Sequence, residues 1–219
     1  MVSIQLRSYL ALLREGKALH IIAILCSVFI VLSIVIHAIG VLSIDRATTI
    51  WFRTFSSPTL DTIAENITHL GDTATLVTVA IVSALGFLLF KQTTPALYMA
   101  LSLICLPING ILKFITARVR PAVSGVQVLV HTAGLSFPSG HTTGSTVIYG
   151  LLGFFLWTLF PQIPRIFFIF YPLLILLVGL TRIYLGAHWL SDVVGGWIVG
   201  LVCLLVLIEV HRIFTFNAI

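Results

Sequence analysis

The stretch HIIAILCSVFIVLSIVIHAIGVL, residues 20–42, decides the class of fold to which this chain belongs. It is apolar almost throughout, and it is longer than the roughly 20 residues that an α-helix needs to cross a bilayer. No clear small-residue cleavage site follows it, so we expect a permanent membrane span and not a removed signal peptide.

The composition of the whole chain agrees with that prediction. Of its 219 residues, 59% are hydrophobic and 9% are charged, whereas soluble domains carry about 25% charged residues. The mean hydropathy is +1.15. The formal net charge of +5 comes from scattered cations with no basic run, which argues against nucleic-acid binding. We therefore predict an integral membrane protein.

Hydropathy predicts an all-α, polytopic membrane protein, with residues 1–219 forming one membrane-embedded domain built as a six-transmembrane-helix bundle. The six predicted spans are residues 19–42, 73–90, 95–114, 143–160, 166–184 and 191–210. Two long connections, Ser43–Asp72 and Ile115–Thr142, alternate with two short ones, Lys91–Thr94 and Pro161–Arg165. Both long connections are therefore predicted on one side of the membrane.

The distribution of Lys and Arg orients the bundle, because cytoplasmic segments are enriched in these residues. Lys113, Arg120 and Arg182 belong to the motifs described below and are set aside. The remainder divide six against three: Arg7, Arg14, Lys17, Lys91, Arg165 and Arg212 on the side of the termini, and Arg46, Arg53 and Arg118 on the other. We predict cytoplasmic N- and C-termini and motifs at the outward ends of the helices.

One polar motif, TRIYLGAHWLSD at residues 181–192, precedes and enters the last span. His188 and Asp192 are four residues apart, a spacing that places two side chains on one helix face. A carboxylate bonded to one imidazole nitrogen makes the other a better nucleophile. Asp192 could equally be a helix cap. Arg182 lies across the Gly186 turn and can reach the same pocket.

A second motif, PSGH at residues 138–141, lies just before the fourth span. Ser139 and Gly140 can present backbone N–H groups at a helix N-terminus, which is a ready site for an anion. His141 is the next residue and could protonate a leaving oxygen. Taken alone, the motif is more often a turn that starts a helix.

A third motif, KFITARVRP at residues 113–121, begins at the end of the third span. Lys113 and Arg120 are two helical turns apart, which predicts that both cations lie on one helix face. Their alternative role is snorkelling to the lipid headgroups, and Arg118, off that face, fits snorkelling well. Arg suits forked phosphate recognition, and Lys supplies a point charge.

Other segments have simpler interpretations. Two amphipathic stretches, Val2–Lys17 and Ile44–Phe55, could lie at headgroup level or pack as ordinary helices. The three cysteines, Cys26, Cys105 and Cys203, are predicted to be free thiols in apolar segments.

Asn109 is expected to bond to a neighbouring helix, and Gly196 and Gly200 are expected to form a packing face. In the segment His69–Asp72, Asp72 is predicted to cap a helix, with a supporting role at the site as the alternative.

Together, the three motifs resemble those of the type 2 phosphatidic acid phosphatase superfamily, membrane lipid phosphatases related in site design to vanadium haloperoxidases. The family patterns are K-x6-RP, PSGH and SR-x5-H-x3-D. They match Lys113 with Arg120–Pro121, then Pro138–His141, then Arg182, His188 and Asp192. One position departs, since Thr181 stands where the pattern has Ser. The resemblance covers the whole chain and all catalytic positions.

The resemblance implies a mechanism in which His188 attacks phosphorus to form a phosphohistidine and Asp192 orients it. His141 would protonate the leaving oxygen and then activate water. The phosphate oxygens would be held by Lys113, Arg120, Ser139, the Gly140 amide and Arg182, with no metal and no cofactor.

The same resemblance implies an enzyme of the cell (inner) membrane that hydrolyses a lipid phosphate monoester or pyrophosphate. Its candidate substrates are phosphatidylglycerophosphate, undecaprenyl pyrophosphate, phosphatidic acid and a lipid A phosphate, with the first two favoured for a minimal bacterial type. The alternatives are a lipid phosphotransferase on the same fold, or a lipid-binding or transport protein.

Overall fold

The computed structural model describes residues 17–124, 128–130 and 133–216, and within these ranges the chain is helical with no strand. Short 3-10 turns link several helices. This confirms the predicted all-α fold. The helices are α1 Lys17–Ile39, α2 Ser43–Arg53, α3 Pro58–Thr68, α4 Thr73–Leu89, α5 Thr93–Leu101, α6 Cys105–Thr116, α7 Gly140–Leu159, α8 Phe170–Tyr184 and α9 Leu190–Phe216.

Five helical segments in the described ranges are long and apolar enough to cross a membrane. They are Lys17–Ile39, Thr93–Thr116, Gly140–Leu159, Arg165–Tyr184 and Leu190–Thr215. The second predicted span differs from expectation. There, Pro58–Gly71 and Thr73–Leu89 form a pair bent by 51°, which makes a sixth span only if the two are counted together. The bend falls at Asp72, next to a 3-10 turn over His69–Gly71.

The long connection predicted over residues 43–72 is largely helical. Helix α3 begins with Pro58 after Ser57, whose hydroxyl accepts a hydrogen bond from the Leu60 N–H, so it has the signals of a regular helix start. Helix α2 confirms the helix expected over residues 44–55. Ile44, Ile50 and Trp51 are exposed, whereas Phe52 packs against Tyr184 of the bundle and Asp45 and Thr49 are buried. The other amphipathic stretch, Val2–Lys17, lies outside the described residues except for Lys17.

Helix α7 lies at the centre and packs most extensively against α9 and α8. Small residues on α9 allow this close approach. A Cβ atom on Gly200 would lie 2.5 Å from Thr146 Cβ, and one on Gly196 would lie 2.8 Å from the Ser139 carbonyl oxygen. The predicted packing face is therefore confirmed, and it holds the start of α9 against the start of α7. All three cysteines are free thiols, as predicted.

Candidate active site

The three motifs meet at one end of the bundle. Lys113 lies in the last turn of α6, Pro138–His141 leads into α7, and Thr181–Asp192 joins α8 to α9. The Asn109 amide donates a 2.9 Å hydrogen bond to Thr143 Oγ1, which ties α6 to α7 as predicted. Segments far apart in sequence thus enclose one polar site at the end of an apolar bundle.

His188 is buried in this site with both ring nitrogens engaged. Arg120 Nη1 lies 3.2 Å from Nε2. Because a guanidinium can only donate, Nε2 accepts and carries no proton. The proton is then on Nδ1, which lies 3.3 Å from both Asp192 Oδ2 and Ser136 Oγ. In this tautomer the lone pair of Nε2 faces the cations that would hold a phosphate, so Nε2 is placed to act as the nucleophile.

The surroundings of His188 also favour its neutral form. Burial lowers the pKa of the imidazole well below its usual range, and the charges of Lys113, Arg120 and Arg182 lower it further. Burial lowers the pKa of Arg120 as well, and nearby Asp192 opposes that change. A buried, unprotonated imidazole among three cations can attack an electrophilic phosphorus.

Asp192 combines the two roles that the sequence left as alternatives. Its Oδ2 accepts the Trp189 N–H at 2.9 Å, which caps the start of α9, and it also accepts the Ser136 hydroxyl. The same oxygen faces His188 Nδ1, although His188 precedes the first residue of α9. The pairing therefore comes from the capping turn and not from i,i+4 geometry within a helix.

Arg118 holds the other oxygen of Asp192, and the prediction that Arg118 snorkels to the headgroups is wrong. Its side chain is 3% exposed, and Nη1 donates to Asp192 Oδ1 at 2.6 Å. Nη2 donates to Asp45 Oδ2 at 2.6 Å and to the Gly40 carbonyl. Ser191 completes the cluster, since its N–H and hydroxyl both donate to Asp45. Helices α2 and α9 are thereby joined through one guanidinium.

The predicted helix face shared by Lys113 and Arg120 is also wrong. Helix α6 ends at Thr116, and Ala117 adopts a left-handed conformation with φ of 48°, so Arg120 lies in the following loop. Both cations nevertheless face the site. Lys113 Nζ donates to the Leu135 carbonyl at 2.7 Å, pointing inward instead of snorkelling.

Arg182 supplies the third cation from the end of α8. Its Nη1 donates to Thr68 Oγ1 at 2.7 Å. Its Nε is buried and makes no hydrogen bond within the described parts of the chain. A buried guanidinium N–H without a partner is costly, and an anion bound in the site would satisfy it.

The PSGH turn differs in one detail from the prediction. The Ser139 N–H donates to the Asp192 carbonyl at 3.0 Å, so its backbone is not open to an anion. The Ser139 hydroxyl accepts from Thr142 Oγ1 and keeps its own proton to donate. Gly140 is the first residue of α7 and lies beside Lys113, since a Cβ built on it would be 3.9 Å from Lys113 Cε. The Gly140 amide remains the backbone donor at this helix start.

Asp72 does not cap α4, which is a further correction. It occupies the N-cap position but makes no side-chain capping bond. Its carboxylate instead accepts from His141 Nε2 at 2.8 Å and from His69 Nδ1 at 2.7 Å. These hydrogen bonds agree with the alternative interpretation, in which His69–Asp72 supports the site.

Several residues of the site were not found from the sequence. Asp45, Thr68 and Ser136 lie outside the three motifs, Ser191 lies inside the third but was given no role, and all four are buried. One signal could have revealed Asp45, because the chain has only seven acidic residues. A carboxylate in so apolar a chain needs a partner. From its place between two of the motifs, we also predict that the loop over residues 122–137 shapes a substrate entrance, and part of this loop lies outside the described residues.

The fold and the site define a helical membrane protein in which histidines, an aspartate and cations converge as phosphoryl-transfer chemistry requires. The PAP2 superfamily model matches residues 91–215. The chain is also 32% identical over 177 residues to phosphatidylglycerophosphatase B of Bacillus subtilis (strain 168), covering 79% of this chain and 86% of that protein. The chain belongs to the PAP2 superfamily, and these similarities indicate a lipid phosphatase.

Solved structures agree with that assignment. A crystal structure of a transmembrane PAP2-type phosphatidylglycerolphosphate phosphatase from Bacillus subtilis superposes with a TM-score of 0.80 at 29% identity, covering 87% of this chain and 96% of that one. The Aquifex aeolicus LpxE structure gives a TM-score of 0.64 at 22% identity, with coverages of 78% and 98%. The second likeness concerns the fold. The family resemblance seen in the motifs and the multi-span architecture are thus confirmed.

Proposed function

We propose that this chain, as one membrane-embedded domain, hydrolyses a lipid phosphate monoester or pyrophosphate through a phosphohistidine intermediate without a metal ion. The proposed substrates are phosphatidylglycerophosphate, undecaprenyl pyrophosphate or phosphatidic acid. One observation carries the proposal. His188 presents an unprotonated Nε2 toward Arg120, in a buried site that Lys113 and Arg182 make positive.

The proposed reaction has two steps. In the first, His188 Nε2 bonds to phosphorus while the bond to the leaving oxygen breaks, and His141 gives that oxygen a proton. Asp192 holds the proton on Nδ1 and offsets the positive charge that develops on the ring. In the second, His141 takes a proton from water as its oxygen attacks phosphorus, and the bond to His188 breaks. His141 thus ends the cycle protonated, as it began.

The cations stabilise the transition state of each step. As charge spreads over the three equatorial oxygens, Lys113, Arg120 and Arg182 would neutralise it, and the Gly140 amide and Ser139 hydroxyl would donate hydrogen bonds. In this arrangement side chains take the part that Mg²⁺ plays in other phosphoryl-transfer enzymes.

A lipid substrate is favoured by what surrounds the site. Phe114, the residue after Lys113, is 82% exposed, and Ile115 and Val119 are also exposed apolar residues. Exposed apolar side chains on a membrane span are compatible with lipid tails. A substrate could therefore keep its tail in the bilayer while its phosphate reaches His188 sideways.

Phosphate release from a panel of lipid phosphates tests this function. In excess chelator, the purified protein is expected to release phosphate at its full rate, because protein cations hold the oxygens. Orthovanadate is expected to inhibit, since it can imitate five-coordinate phosphorus. Adding an acceptor lipid separates hydrolysis from transfer. Activity that disappears in chelator and returns only with Mg²⁺ would contradict the proposed mechanism.

We further propose that the site faces outward across the cell (inner) membrane, with cytoplasmic termini. In a protein with its three native cysteines replaced by alanine, we would place single cysteines at Ala133 and at Gln162. Both positions are exposed, and they lie near opposite ends of the bundle. An impermeant thiol reagent applied to intact cells should label position 133 and spare position 162.

Disrupted cells are the control for this labelling, since both positions should then react. The reverse pattern in intact cells would move the chemistry to the cytoplasmic leaflet and contradict the orientation inferred from the six-against-three distribution of cations.

A further inference from the structure

We propose that the turn Thr68–Asp72 is a fourth element of the active site, in which Asp72 is the positioning residue that holds His141 as the acid for the leaving group. The inference deepens the proposed function and rests on it. None of the three sequence motifs includes this turn. It lies at the 51° bend between α3 and α4.

Both oxygens of the Asp72 carboxylate accept hydrogen bonds from histidine rings. Its Oδ1 accepts from His141 Nε2 at 2.8 Å, and its Oδ2 accepts from His69 Nδ1 at 2.7 Å. An aspartate at an N-cap position ordinarily accepts from the backbone of the first helical turn. Here that interaction is absent, so the carboxylate is oriented toward the histidine of the PSGH motif.

The turn is fixed to the site at three more points. The Leu70 carbonyl accepts the Tyr149 hydroxyl of α7 at 2.7 Å, and Thr68 Oγ1 accepts from Arg182 at 2.7 Å. Gly71 packs directly on the acid, because a Cβ built there would be 3.0 Å from His141 Cβ and 2.7 Å from Val178 Cγ1. The bend therefore docks the turn against both α7 and α8.

These contacts assign the two nitrogens of His141. With Nε2–H given to Asp72, Nδ1 is the atom left to serve the leaving oxygen. An imidazolium here shares the site with Arg120 and Arg182, whose charges disfavour it, and the carboxylate offsets them. Asp72 thus holds the ring and stabilises the protonated form before Nδ1–H is given up and after a proton is regained from water.

A change in leaving group tests this role, because a poor leaving group needs a proton and a good one does not. The two probes are dioctanoyl phosphatidic acid and a nitrophenyl phosphate that carries an octyl chain. The quantity measured is kcat/KM, which reports the steps up to departure of the leaving group. We expect Asp72→Asn to lower kcat/KM about 100-fold on the first probe, in the range typical of general acids, and within about threefold of wild type on the second.

Matched variants make the result decisive. His141→Ala should show the same dependence on leaving group, and Glu65→Gln, an exposed carboxylate change on α3, should behave as wild type. If Asp72→Asn protein does not fold, Gly71→Ala decides, since its Cβ would press on both His141 and Val178 and the shift of His141 should produce the same selective loss.

Equal losses on both probes, or none on either, would overturn the role of Asp72. That failure is distinct from failure of the proposed function, for which His188→Ala would have to remain active on both probes.

Discussion

His188→Ala is expected to lose turnover by about 10⁴-fold or more, because no neighbouring group can replace the attacking nitrogen. Arg120 would remain as a hydrogen-bond donor and Asp192 as an acceptor, but neither supplies an attacking nitrogen. The measurement is steady-state phosphate release from a lipid phosphate. Acid-labile phosphoenzyme should also be trapped with wild type and be absent from the variant.

The control for this substitution is His37→Ala, which changes an exposed histidine near the end of α1 and should leave turnover unchanged. The His188→Ala protein should still purify as a single species, since a neutral side chain is removed and the paired charges around Asp192 are kept. Near wild-type turnover by folded His188→Ala protein would refute the phosphohistidine mechanism.

Arg118→Gln is expected to have the largest effect on stability. The substitution leaves Asp45 and Asp192, both fully buried, without their shared cation. Breaking a buried ion pair costs about 3–5 kcal/mol, so we expect the thermal midpoint to fall on the order of 10 °C. Activity should fall as well, because Asp192 loses the partner that holds it beside His188.

Two further variants separate charge from geometry. Arg118→Lys restores the charge, but one ammonium cannot reach Gly40, Asp45 and Asp192 together, so stability should be only partly recovered. Arg46→Gln changes an exposed arginine on α2 and should leave both stability and turnover at wild-type values. An Arg118→Gln protein as stable and active as wild type would contradict the role assigned to the cluster.

The helices of this protein follow from local sequence, whereas the contacts between them do not. The six apolar stretches correctly predicted helices. A run of about 20 apolar residues forms a helix in lipid whichever helices pack beside it, so its own sequence is sufficient evidence. The second predicted span differs from the others because it is bent. The turn at His69–Gly71 and the bend beside it are held by contacts with α7 and α8. A hydropathy pattern contains no information about those contacts.

At the site, too, sequence patterns predicted some residues correctly and misplaced others. The motif positions of His141, His188 and Asp192 were found because their residue types, in that order at the ends of spans, are rare in an apolar chain. Helical spacing failed for Lys113 and Arg120, because Ala117 adopts a left-handed conformation and ends the helix between them. It also placed Arg118 at the headgroups, whereas two carboxylates from distant segments draw it inside.

The sequence by itself determined the class of this protein, an all-α membrane protein of the PAP2 superfamily, because span length and motif chemistry are local properties. The tertiary structure alone decided which partner each polar group has. Asp45 meets Arg118 from 73 residues away, and Asp72 meets His141 from 69. The physical reason is that a charge buried in an apolar bundle must be neutralised wherever the packing brings a partner, and packing is a property of the whole fold.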